Sequence, residues 1–145
     1  MIGVVVGVDG SDGSKVALDE AAVQASYRKV PLTIVATWQI PTSLGLSMMA
    51  PPDGKPYDAF EQAAKTILQE SMDHVASKFP DIEVKGELVE EAPAPALCRL
   101  SKDADLLVLG SRGHGGFTGL LLGSVSTYAI HHAQCPVLVM RKHKS

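Results

Sequence analysis

The residues with the strongest chemical pattern are Gly110, Gly113, Gly123 and Ser124, spaced Gly110-x2-Gly113-x9-Gly123-Ser124. Glycines let a backbone take positive φ and approach a ligand closely. The apolar run Asp105-Leu106-Leu107-Val108-Leu109 precedes them and reads as a buried parallel strand. Val125, Tyr128, Ala129, His132 and Ala133 follow at helical spacing. The stretch therefore runs from a strand end to a helix start, where free N–H groups and the helix dipole favour an anion. Ser124 and Ser126 add hydroxyl donors at the helix mouth, and Arg112 is a natural phosphate partner. His114 either donates to a phosphate or lies on the loop surface. The alternative for the whole stretch is a flexible glycine-rich loop with no ligand. Neither G-x-x-x-x-G-K-[ST] nor G-x-G-x-x-G occurs, so the two common phosphate fingerprints are excluded.

A carboxylate at the end of the first apolar run, Asp9, is the second candidate. It would repel bare phosphate, and suits a ribose hydroxyl or a divalent cation shared with phosphates. Its other role is to cap the helix that follows, which Ser11 or Asp12 could do instead. Trp38 could stack on a base or pack in the core, and Thr37 beside it could present backbone groups to a base edge. No nucleophile–base–orienter set and no G-x-S-x-G are present, so no catalytic residue is assigned. Glu90-Glu91 reads as a surface pair rather than an acid and base. His131 and His132 are adjacent and face different ways on a helix, which argues against a zinc site.

Alternating elements position these residues. Ile2 to Val8 reads as a first buried strand, followed by the turn cluster Asp9-Gly10-Ser11-Asp12-Gly13-Ser14 and a helix to about Arg28 with Leu18, Ala21, Ala22 and Ala25 inward. Leu32 to Trp38 is a second strand. Gln39 to Pro56 carries five prolines or glycines between Pro41 and Gly54, and reads as a long loop: a lid bearing Met48-Met49, or a plain connection. Phe60 to Phe79 has clear helical periodicity and stops at Pro80. Ile82 to Val89 alternates as an edge-side strand does, and Pro93 and Pro95 open a short helix through Leu97 and Leu100. Pro136 to Met140 closes the chain as a last strand. The order β-α-β-α-β-α-β-α-β means a parallel sheet with helices on both faces. In such sheets ligands sit beyond the strand ends where strand order reverses. If the first and fourth strands are neighbours there, Asp9 and Gly110 meet.

The 145 residues suit a single domain, 1–145, with 46% hydrophobic and 20% charged residues. A net charge of −3 leaves no footprint for nucleic acid. Cys98 and Cys135 lack C-x-x-C spacing and read as buried free thiols. The N-terminal run lacks a basic region and cleavage site, and no apolar run approaches the length of a membrane span. A soluble, cytoplasmic protein with no nucleic-acid or membrane partner is expected.

With these motifs the chain resembles the universal stress protein family over its whole length. Gly110 to Ser124 is similar to the family's signature G-x2-G-x9-G-[ST], Gly7-Val8-Asp9-Gly10-Ser11 to its first-strand motif, and Pro136-Val137-Leu138-Val139-Met140 to its closing strand. The resemblance implies a three-layer α/β/α sandwich around a five-stranded parallel sheet, order 3-2-1-4-5, of the adenine nucleotide alpha hydrolase-like, Rossmann-like kind. It implies ATP as ligand, often with Mg²⁺ or Mn²⁺. The residues implied for the nucleotide are Gly7, Val8, Asp9, Thr37, Leu109, Gly110, Arg112, Gly113, His114, Gly123, Ser124, Val125 and Ser126, with Asp9 on ribose or, indirectly, metal. Where the family often has an aliphatic-His-Val run, this chain has Ala36-Thr37-Trp38. A homodimer through antiparallel pairing of Val137–Met140 is also implied, which would cover an apolar edge strand. The expected function is that of an ATP-binding, nucleotide-dependent stress-response regulator. The alternatives are a slow ATPase or autophosphorylating protein, and an interaction module that binds no nucleotide or prefers cAMP or AMP.

Overall fold

The computed structural model describes residues 2–40, 57–111 and 122–141. Along the chain run β1 (Val4–Val8), α1 (Asp12–Arg28), β2 (Leu32–Trp38), α2 (Tyr57–Lys78), β3 (Val84–Glu90), α3 (Pro93–Leu100), β4 (Leu106–Gly110), α4 (Ser124–His132) and β5 (Val137–Met140). The strands form one five-stranded sheet in the order β3-β2-β1-β4-β5. Every pairing is parallel, and Val4 of β1 registers with Leu32 on one side and Leu106 on the other. The chain moves outward from β1 to β3, then returns past its start to lay down β4 and β5. The reversal falls between β1 and β4, as the resemblance implied.

The three central strands are largely apolar because both of their faces are covered. Alternate residues serve different layers. Val4, Val6, Val8, Leu32, Ile34, Ala36, Leu106 and Val108 pack under Ala17, Leu18, Ala21, Ala22 and Ala25 of α1 and Ala64 and Val75 of α2. Val5, Val35, Leu107 and Leu109 face the other way, onto Leu97 of α3 and Ala129 of α4. Leu32, Ile34 and Leu107 are fully buried; each such side chain contributes about 1.5–3 kcal/mol. The alanine stripe of α1 brings that helix close to the sheet, as its composition suggested.

Both outer strands are more open. In β3, the consecutive residues Lys85, Gly86 and Glu87 are exposed, in keeping with an edge strand although not with strict alternation. In β5 all four residues are only partly buried, although all are apolar. Helix α4 departs from its sequence pattern. Val125, Ala129 and Ala133 turn inward, whereas Tyr128 and His132 lie outside with ring centroids 4.2 Å apart. Spacing alone admits either stripe. The small residues join the core cluster that Leu97 of α3 enters, and the Tyr128 ring stays at the surface.

Trp38 packs on the α1/α2 side of the core, where it is partly buried. No helix among the described residues is long and apolar enough to cross a membrane. Cys98 and Cys135 are free and partly exposed, both lying against the layer under α3 and α4. Burial first, and Cys135 second, push the Cys98 thiol above its ordinary range. Alkylation of Cys98 by iodoacetamide at pH 8 should therefore be several-fold slower than that of a free cysteine peptide, with its pH midpoint displaced upward. Peptide mass mapping of a timed reaction measures this, and a midpoint at or below that of the free peptide would contradict it.

Candidate functional site

The corner beyond the carboxyl ends of β1 and β4 is built mainly from backbone. Gly110 ends β4, and a Cβ placed on it would lie 2.7 Å from the carbonyl oxygen of Gly13 and 2.8 Å from its carbonyl carbon. The first turn of α1 therefore abuts the end of β4 directly, and only glycine fits at the contact. Gly13 was not among the residues selected from sequence. It takes part through its backbone carbonyl, which any residue type would supply, so residue type gave no signal.

On the β1 side, Gly10 has φ +83°, a conformation that suits glycine. Asp9 Oδ1 accepts the Ser11 N–H at 2.9 Å. The Asp9 N–H donates to Ser14 Oγ at 3.3 Å, and the Ser14 hydroxyl donates to the Ser11 carbonyl at 3.1 Å. Ser11 is the N-cap of α1, its Oγ accepting the Ser14 N–H at 3.2 Å. Asp9 thus shapes the turn, while the cap belongs to Ser11. Asp12 sits in the first turn of α1, where a negative charge already complements the dipole.

Helix α4 begins differently. Its N-cap is Gly123, no side chain caps it, and its first turn holds no acidic residue. Its leading amides receive no side-chain cap and Ser124 beside them is exposed, and a helix start of this kind favours an anion. The two ends of the glycine-rich stretch are held together. Ser111 N–H donates to the Met140 carbonyl at 2.7 Å, and Gly123 N–H donates to the Ser111 carbonyl at 2.5 Å. Ser126 Oγ donates to the Gly110 carbonyl at 2.6 Å. Ser111, which no sequence argument singled out, links the stretch to the last residue of β5.

The sequence-derived candidates divide into three sets. Asp9, Gly110, Gly123, Ser124 and Ser126 gather at this corner. Thr37 is partly exposed near the end of β2, beyond the Val8↔Ala36 pair and beside Val89 of β3. Gly7, Val8, Leu109 and Val125 lie within or against packed layers: Gly7 beneath Leu97, Val8 toward α1, and Leu109 and Val125 toward α3 and α4. Arg112, Gly113 and His114 lie outside the described residues, as do Met48 and Met49. Among the described residues, no group of three or more His, Cys, Asp or Glu could hold a metal ion. Glu91 pairs with Arg99 at 2.6 Å, which matches the surface-charge reading of the Glu90-Glu91 pair.

This arrangement has counterparts in known proteins. The universal stress protein family model matches residues 3–141. Universal stress protein Rv2005c of Mycobacterium tuberculosis is 38% identical over 139 residues, which is 96% of this chain and 45% of that protein. Universal stress protein Rv2623 of the same organism is 36% identical over 152 residues, covering 99% of this chain and 49% of the relative. The chain thus spans about half the length of the curated relatives it matches. Among solved structures, a universal stress protein in complex with cAMP is 29% identical, with a TM-score of 0.70 and 97% of each chain covered. A universal stress protein from Archaeoglobus fulgidus is 25% identical with a TM-score of 0.72, covering 96% of this chain and 93% of that one. The sheet order and a match running from the first strand to the last agree: this chain belongs to the universal stress protein family.

Proposed function

We propose that this chain binds an adenine nucleotide, ATP, with its phosphates at the mouth of α4, and that occupancy of this site regulates a dimer in the stress response. The observation that carries the reading is the uncapped N-terminus of α4 beside the Gly110–Gly13 backbone contact, at the reversal of strand order. The amides there supply partial positive charge without a lysine. Asp9 stands at the same corner and serves ribose hydroxyls. Mg²⁺ or Mn²⁺ would arrive on the phosphate oxygens, with Asp9 reaching it through water, because no clustered ligand set exists among the described residues. Thr37 offers its backbone to the base. The open apolar edge of β5 supports a dimer.

Equilibrium titration with ATP, with and without Mg²⁺, tests the reading, together with mass spectrometry of nucleotide retained through purification. ATP should bind at least tenfold more tightly than adenosine, about 1.4 kcal/mol. Absence of ATP binding up to about 1 mM, where affinity is worth only about 4 kcal/mol, would sink it. A second reading, preference for cyclic AMP, is favoured by the solved relative that holds cAMP. It would be supported by tighter binding of cAMP than of ATP in the same titration.

A further inference from the structure

Ser126 is 2% exposed, and its hydroxyl lies 2.6 Å from the Gly110 carbonyl. A serine hydroxyl carries one O–H. Here that proton is given inward, so none remains for a phosphate oxygen. Thr127 also turns its hydroxyl back, onto the Gly123 carbonyl at 2.9 Å. Of the three hydroxyls that open α4, only that of Ser124 is exposed at the helix mouth with no such bond.

The Gly110 carbonyl belongs to the residue whose backbone presses on α1. Ser111 and Gly123 flank the glycine-rich stretch in sequence, and the Gly123 N–H meets the Ser111 carbonyl. Two hydrogen bonds therefore cross the base of this stretch: Gly123 to Ser111 along the backbone, and Ser126 to Gly110 from a side chain. Holding the ends together in advance removes closure entropy that a ligand would otherwise have to offset.

We propose that Ser126 is a positioning residue: its hydroxyl clasps the end of β4 to the first turn of α4 and thereby holds the phosphate-binding amides ready, without touching the nucleotide. The proposal rests on the nucleotide reading above and assigns Ser126 a role within that site. Loss of the clasp should weaken ligands that carry phosphates and spare adenosine. It should also be visible with no ligand present, because the amides of Ser111 and Gly123 would open more often.

The test compares wild type, Ser126→Ala, Ser126→Thr and Ser101→Ala. Ser101 is a fully buried serine at the end of α3 whose hydroxyl donates to the Cys98 carbonyl, away from the strand reversal. ATP and adenosine are titrated, and amide exchange at Ser111 and Gly123 is followed by NMR in nucleotide-free protein. Ser126→Ala should lose roughly tenfold in ATP affinity, keep adenosine within about twofold, and speed exchange at both amides roughly tenfold. Ser126→Thr, which retains the O–H, should restore both, and Ser101→Ala should change neither. Lost ATP affinity with unchanged exchange would make Ser126 a direct ligand and overturn the clasp. Unchanged ATP affinity in Ser126→Ala would also overturn it while leaving the nucleotide reading intact. Failure of wild type to bind ATP or cAMP would bring down the nucleotide reading itself, and the proposed purpose of the clasp with it.

Discussion

Gly110→Ala should weaken ATP binding by roughly a hundredfold, about 2.7 kcal/mol, and lower the unfolding free energy by about 1–3 kcal/mol. The added methyl would stand 2.7 Å from the Gly13 carbonyl oxygen and 2.8 Å from the carbonyl carbon, with the Ser14 nitrogen at 3.2 Å. All three are backbone atoms in the first turn of α1, so no rotamer change relieves the overlap. The end of β4 and the start of α1 must separate, and the corner that holds Asp9 opens with them. Gly7→Ala is the informative control. Its methyl would also meet an atom at 2.7 Å, but that atom is Leu97 Cδ1, the end of a side chain that can shift. It should cost stability while leaving nucleotide affinity nearly intact. Isothermal titration and urea melts of the two variants measure both quantities. ATP affinity within about threefold of wild type in Gly110→Ala would remove this contact from the site.

The second large effect concerns assembly. Val139→Pro should convert a dimer into a monomer across the micromolar range without unfolding the sheet. The Pro136 carbonyl accepts from Leu107 and the Met140 carbonyl accepts from Ser111, so these residues of the β5 segment point toward β4. By strand alternation, the N–H and C=O of Val137 and Val139 point to the open side. Proline at 139 therefore deletes a donor from the free edge and none from the β4–β5 ladder. Val139 registers with Leu109 and is only partly buried, so Val139→Lys offers a second route that charges the same edge. Sedimentation velocity with circular dichroism of both variants is the measurement. A dimer that persists in both folded variants would place the interface elsewhere, and a monomeric wild type would remove the dimer altogether. Because Ser111 bonds to Met140, the glycine-rich stretch and the edge proposed for the dimer share a strand end. Nucleotide affinity in the monomeric variants therefore reports whether the two are coupled.

Much of this was legible in residue order. Element number, type and sequence came from period and punctuation: the β-branched run before Asp9, the alanine stripe of α1, Pro80 after α2, and Pro93 and Pro95 at the head of α3. Strand ends differed by a residue or two, since β1 starts at Val4 rather than Ile2 and β3 at Val84 rather than Ile82. Strand ends depend on pairing partners, which lie far away in the chain. The direction of α4 was not legible, because Tyr128 and Ala129 satisfy the same spacing and only the packing against α3 selects between them.

The glycine spacing, the apolar strands and the caps are local properties, and local sterics and hydrophobic period were enough to determine an alternating α/β chain with a glycine-rich stretch between its fourth strand and last helix. Which strands lie side by side, why Gly110 must lack a side chain, and where the Ser126 proton goes were decided only by tertiary structure. Each of those depends on atoms distant in sequence being pressed together at the reversal between β1 and β4, and no local period records such a contact.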